Sequence, residues 1–325
     1  MNRRTALRNS AILGLSTVLL RQSLFAGTAA KPLNSFYRFP LGDLTLTVVT
    51  DGHILFKPVQ PGFAPGIDSN KVSALLHDNF LSEKEVDLSI NVLVVTHGQK
   101  NILIDTGCGF NFGDASGWLP KNLAIAGISP AAVTDVVLSH AHPDHLGGLL
   151  TKDNQLVFPN AAIHISRIEN EFWLSPNPDF SKSRLNNPGL KKMVIDIAQH
   201  TLTTIKPMLH FFEDNQTLLD CIKVRIVPGH TPGHTVSTII SGGEELVHVA
   251  DLVHSPVLVF AHPEWGFEGD TDFQLAVASR KKTLEELAHS RAAVFSYHLP
   301  WPGLGHVKKE GTGYAWVQKE VAIPQ

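Results

Sequence analysis

Cysteine is nearly absent from this chain: Cys108 and Cys221 are the two in 325 residues. They stand far apart, in no C-x-x-C or metal-ligand spacing, which excludes a Cys-rich structural zinc finger. Two buried free thiols fit better than a disulfide, although an oxidising compartment would permit one. An excess of one charge is also lacking. The 27 Lys and Arg against 30 Asp and Glu leave a net −3, with no basic footprint for nucleic acid. No uncharged apolar run reaches the about 20 residues of a membrane helix. There is no G-x-S-x-G elbow and no Cys beside a His pair, so a serine or cysteine nucleophile has no foothold. Internal repeats and low-complexity linkers are missing too.

What is present begins with Met1-Asn2-Arg3-Arg4, an apolar run from Ala11 to Leu20, and small residues from Ala26 to Ala30. Charge, apolar run and small residues in that order predict a signal peptide over residues 1–30. The paired arginines point to the twin-arginine route. The mature protein, residues 31–325, is then periplasmic or secreted, with no membrane contact once the leader is removed.

Strand and helix signals alternate through the mature chain, which favours one layered α/β domain over two. Leu44–Thr50 and His53–Phe56 flank Asp51-Gly52, a short hairpin signal. Ile90–Thr96 with Asn101–Ile104, and Ser237–Ile240 with Leu246–Ala250, read as two further hairpins. Val136–Leu138, Ala161–Ile165, Lys223–Val227 and Ala293–Tyr297 read as strands. Helices are expected over Leu190–Leu209, ended by Pro207, and from Thr271, with Gln274 completing a capping box. In the latter Phe273, Val277, Leu284 and Leu287 recur at core-facing spacing. Leu146–Leu150 looks like a helix entry, and Pro176–Gly189 reads as a long loop.

The chemistry concentrates in His140-Ala-His142-Pro-Asp144-His145, three imidazoles and a carboxylate in six residues. Nitrogen and oxygen donors alone suit divalent ions that perform hydrolysis. The run follows a short apolar strand, where a site can be held rigidly. Further donors follow other strands: His230 and His234 in Gly229-His-Thr-Pro-Gly-His-Thr235, then Asp251, then His298. Sites of α/β sheets gather at such carboxyl ends.

This ordered set, with Asp105-Thr106-Gly107, resembles the metallo-β-lactamase superfamily across nearly the whole mature chain. Phe158-Pro-Asn-Ala161, Glu171-Phe-Trp-Leu-Ser175 and His298-Leu-Pro-Trp-Pro-Gly-Leu-Gly-His306 are similar to the methyl parathion hydrolase and lactonase group. The resemblance implies a four-layer αβ/βα sandwich and two divalent ions, expected to be Zn2+. It assigns His140, His142 and His234 to one ion, Asp144, His145 and His298 to the other, and Asp251 to both. Asp105, His230 and His306 become supporting residues. Asp251 and Asp144 are also the candidate proton acceptors. Phe112 and Trp173 resemble walls of an aromatic substrate pocket, and Trp265 and Phe267 are candidates for the same role.

Two ions sharing a bridging water lower its pKa and give a hydroxide nucleophile near neutrality. The expected activity is therefore hydrolysis of a small-molecule lactone, aryl ester or phosphotriester. A glyoxalase II-type thioester hydrolase and a non-hydrolytic iron redox or binding protein are the alternatives. A homodimer is compatible with the sequence.

Overall fold

The computed structural model describes residues 35–321. The expected leader and its cleavage site near Ala30 lie outside the described residues.

Among the described residues, seven strands come first: β1 (Phe36–Leu41), β2 (Leu44–Phe56), β3 (Val86–His97), β4 (Lys100–Ile104), β5 (Asp135–Val137), β6 (Ala162–Ser166) and β7 (Leu209–Phe212). Seven follow: β8 (Thr217–Leu218), β9 (Ile222–Ile226), β10 (Thr235–Ser241), β11 (Glu244–His248), β12 (Ala293–Phe295), β13 (Leu304–Glu310) and β14 (Gly313–Gln318). Each set forms one sheet, ordered β1 to β7 and β14 to β8. Among the described residues, seven α-helices accompany them: α1 (Ser69–Asp78), α2 (Leu119–Ile125), α3 (Pro143–Leu146), α4 (Arg167–Trp173), α5 (Pro188–Thr204), α6 (Leu258–Ala261) and α7 (Phe273–Ser290). The result is the expected four-layer sandwich.

The apolar run in β3 shows why. Leu93 and Val95 point between the sheets, into a core shared with Ile222, Val224, Ile239 and Phe295. Val92 and Val94 point the other way, into a core with Leu123, Leu202 and Trp173. A strand covered on both faces has no polar face, so its sequence cannot alternate. On the second sheet Leu284 and Leu287 of α7 pack with Val247 and Val294. Cys108 and Cys221 are both buried free thiols.

Four local expectations are corrected. Asp51-Gly52 is not a hairpin turn. Strand β2 runs through it, with a bulge in its pairing to β3 between Thr50 and Gly52. Rather than facing water, the Asp51 carboxylate is buried and accepts N–H bonds from Cys108 (2.8 Å), Gly117 (3.1 Å) and Leu119 (2.7 Å). Helix α7 is capped by Asp272, which accepts from the Leu275 N–H, while the Thr271 hydroxyl turns to Gly229 O. Helix α5 ends at Thr204, before Pro207, and Leu209 already belongs to β7. Finally, Leu146 closes a one-turn helix rather than opening a longer one, and Gly147–Leu149 form a 3-10 turn.

Candidate metal centre

Beyond the carboxyl end of β4, Asp105 adopts a left-handed backbone (φ 64°), a conformation uncommon for a non-glycine residue. It turns its carboxylate under the neighbouring loop. There it accepts from Ser139 N (2.7 Å), Ser139 Oγ (2.7 Å) and His145 Nδ1 (2.9 Å). Ser139 Oγ in turn lies 3.0 Å from His140 Nδ1. One acidic residue thus orients the start of the histidine run as it leaves β5.

The donors fall into two sets. In the first, His140 Nε2 and His142 Nδ1 are 3.0 Å apart. His230 Nε2 is 3.2 Å from the former and 2.9 Å from the latter. Asp251 Oδ2 closes this set, 3.2 Å from His230 Nε2 and 3.7 Å from His140 Nε2. In the second, His298 Nε2 lies 3.4 Å from Asp144 Oδ2 and 3.3 Å from Asp251 Oδ1. His145 Nε2 lies 3.6 Å and 2.9 Å from the same two oxygens. Asp251 therefore offers one oxygen to each set.

These donors fit divalent ions. A tetrahedral ion with Zn–N distances of about 2.0–2.1 Å spaces its ligand atoms roughly 3.3 Å apart. His145 Nε2 and Asp251 Oδ1 are buried and make no hydrogen bond, a costly arrangement in a protein interior unless something else satisfies them. The outer ring nitrogens of His140, His145, His230 and His298 are engaged, so their inner lone pairs face the centre. His298 Nδ1 bonds Ser89 O (3.0 Å). His230 Nδ1 bonds Asp270 (2.9 Å), whose other oxygen receives Arg280 (3.3 Å).

Electrostatics divides the imidazoles. Burial, then repulsion from His145, holds His140 well below the usual histidine range, and burial with His230 does the same to His142. Burial also opposes charge on His230 and His298. There Asp251 prevails, with Asp270 or Asp144, and both rise to about 9. Binding of cations must displace those protons.

The geometry corrects the expected role of His234. Its Nδ1 bonds Val227 O (3.1 Å), and its Nε2 accepts the Asp251 N–H (3.1 Å). Both nitrogens are spent, and His230 takes the place beside His140 and His142. His306 is corrected as well. It is exposed on β13, and its Nδ1 lies against Arg291 O and Ala292 O at the end of α7. Missed in the sequence was His254, whose Nε2 is 3.1 Å from Asp251 Oδ2. Its ring stacks on Phe267 (4.6 Å) and His298 (5.3 Å). The i,i+3 spacing from Asp251 was the available signal.

An apolar pocket opens beside the second set. Ile54, Phe56, Leu88, Phe112, Phe180, Leu185, Leu190, Met193, Val194 and Phe267 line it, with His142, Asp144, Asp251, His254 and His298 at its floor. Among the described residues, no Lys or Arg lines it. Arg184 is turned away, bonded to Pro65 O and lying over the Phe273 ring. Phe112 and Phe267 thus stand on the pocket wall. Trp173 and Trp265 do not. Trp173 is fully buried in the core with its Nε1–H on Glu169 (2.6 Å). Trp265 packs with Val59, Phe63 and Leu258 and stacks on His262.

Comparison with known proteins agrees with this architecture. Residues 86–297 match the family described as the metallo-beta-lactamase superfamily. "Probable metallo-hydrolase YybB" of Bacillus subtilis (strain 168) is 26% identical over 192 residues, 56% of this chain and 75% of its own. Among solved structures, AidC, a dizinc quorum-quenching lactonase in complex with a product N-hexanoyl-L-homoserine, is similar. It is 45% identical, with TM-score 0.86, over 89% of this chain and 99% of its own. The hydrolase AbOPH is 30% identical, with TM-score 0.82, over 90% and 100%. The chain belongs to the metallo-beta-lactamase superfamily and is a metal-dependent hydrolase of that superfamily.

Proposed function

We propose that this protein is a dinuclear lactonase, loaded with two Zn2+ ions, that opens uncharged lactones carrying an apolar substituent. The carrying observation is the His/Asp cluster at the floor of an apolar pocket that no Lys or Arg lines. A penicillin-like substrate brings a carboxylate, and the described pocket wall offers it no Lys or Arg side chain to pair with. The likeness to AidC supports the same reading.

His140, His142, His230 and Asp251 would hold one ion, and Asp144, His145, His298 and Asp251 the other. When bound, such a pair polarises the scissile carbonyl and lowers the pKa of water towards neutrality. The chain's own residues handle orientation and protons. The apolar wall holds the substituent and excludes water from it. The Asp251 and Asp144 carboxylates, both at the pocket floor, are placed to take the proton of the attacking water. As the ring C–O bond breaks, that proton passes to the departing alkoxide, leaving a hydroxy acid. His254 steadies Asp251 Oδ2 through its Nε2–H.

The test is a substrate panel on protein carrying two zinc ions. The expected kcat/KM for N-hexanoyl-homoserine lactone or dihydrocoumarin exceeds that for a penicillin by more than about 100-fold, or ~2.7 kcal/mol in transition-state binding. A penicillin or a thioester turned over as fast as any lactone overturns the substrate reading. The proposal includes export with a mature start near Lys31, which amino-terminal sequencing of periplasmic protein checks. An intact Met1 on cytoplasmic protein refutes it.

A further inference from the structure

Glu169 lies on α4, which contributes no donor to either set. Its side chain is fully buried, and each carboxylate oxygen accepts two bonds. Oε1 receives Ala141 N–H (3.0 Å) and Trp173 Nε1–H (2.6 Å). Oε2 receives Thr231 Oγ1–H (2.7 Å) and Gly233 N–H (2.9 Å). Ala141 sits between His140 and His142, and Thr231 follows His230. One carboxylate therefore ties together the two loops that carry all three imidazoles of the first set. The approach is close enough to require glycine: a Cβ on Gly233 would lie 2.5 Å from Glu169 N. The Trp173 ring, fixed by the same carboxylate, meets His142 edge-on at 5.5 Å.

The second set hangs on other supports. Asp105 holds His145, and Ser89 O holds His298. The Tyr297 ring stacks on His145 at 4.1 Å, while its hydroxyl donates to Asp144 O (2.8 Å) and accepts from Gly107 N (3.1 Å). None of these touches Glu169.

We propose that Glu169 is a positioning residue for the first metal alone, a clamp that sets the distance between the His140–His142 loop and the His230 loop. A glutamine of the same shape cannot do this. Its amide nitrogen is a donor only, so one side of the clamp meets the N–H of Ala141 or Gly233 donor to donor. The loops then part, and the three nitrogens no longer converge on one point. This rests on the two-ion reading above, and metal content separates the two claims.

The experiment compares wild type with Glu169→Gln and Thr231→Val after dialysis against a graded zinc chelator, reading bound zinc per chain. Wild type is expected to hold two ions. Glu169→Gln is expected to hold its second-set ion at wild-type affinity and the first-set ion roughly 10- to 100-fold more weakly, the usual size for the loss of a supporting partner. Thr231→Val removes one of the four bonds and should weaken the same ion by a smaller factor. It also carries the test if Glu169→Gln does not fold. Lactonase activity of Glu169→Gln should return at high zinc, which a merely misfolded variant would not show. Two ions held as in wild type by the folded Glu169→Gln protein, or equal weakening of both ions, overturns the clamp. A wild type that holds fewer than two ions refutes the two-ion reading instead.

Discussion

His234 Nε2 accepts the backbone N–H of Asp251 at 3.1 Å, and both residues are buried. The imidazole that the sequence offered as a ligand is thereby a buttress for the carboxylate shared between both donor sets. The outcome expected for His230→Ala is loss of bound zinc. His234→Ala should retain two ions but lose about 1–3 kcal/mol of stability, the cost of leaving a buried donor unpaired. Zinc content and thermal unfolding of the two variants decide this. Zinc loss in His234→Ala with none in His230→Ala would return the ligand role to His234.

Asp251 carries a larger consequence, because its two oxygens serve different sets. Asp251→Ala should fold, lose at least one ion, and lose most of its activity. Wild-type turnover by that variant at full zinc loading contradicts the shared role.

Much of this centre was legible because its donors are local. His140 to His145 come from a single strand end, so one run of sequence displays four of them. His298 and Asp251 were legible as polar residues just past apolar strands. The choice between His230 and His234 was not, since both occupy the same seven-residue segment. What separates them is the outer partner of each ring, Asp270 for one and Val227 O for the other, and both partners are set by tertiary packing. The pocket walls were half legible for a related reason. Phe267 and Trp265 stand two residues apart in one loop, and only the fold turns one to the pocket and the other to the core. The Asp51 hairpin failed because a turn-like pair can also mark a bulge when its carboxylate finds buried donors.

Glu268 is placed to govern charge at the pocket mouth. With Phe56 and Leu190, it lines both the pocket and the cleft outside it, and burial pushes its carboxyl up. Lactone opening produces a carboxylate, which Glu268 repels when ionised. Glu268→Gln should strengthen inhibition by the ring-opened hydroxy acid, relative to the lactone KM, by roughly threefold to tenfold. That is the size of one partly solvated charge at this range. An unchanged ratio of product inhibition constant to KM removes Glu268 from the exit path.

His248 makes acid stability testable. It is fully buried on β11 and neither ring nitrogen is bonded, and burial lowers its pKa to about 4. The unfolded chain takes up this proton near the usual histidine value of about 6.5, whereas the fold refuses it until about 4. Its contribution to stability is therefore present above about 6.5 and lost as pH falls towards 4. Replacement by Phe, which has no titrating group, should reduce the stability lost by metal-free protein between pH 7 and 5 by about 2 kcal/mol. Denaturant unfolding at the two pH values measures it, and equal losses in the two proteins refute the assignment.

The dinuclear lactonase reading meets its most direct test in a zinc titration of metal-free protein, following hydrolysis of N-hexanoyl-homoserine lactone. Activity should be absent at the start and rise to a plateau reached at two equivalents per chain. Full activity without added metal, a plateau at one equivalent, or two bound ions with no lactone hydrolysis would contradict it.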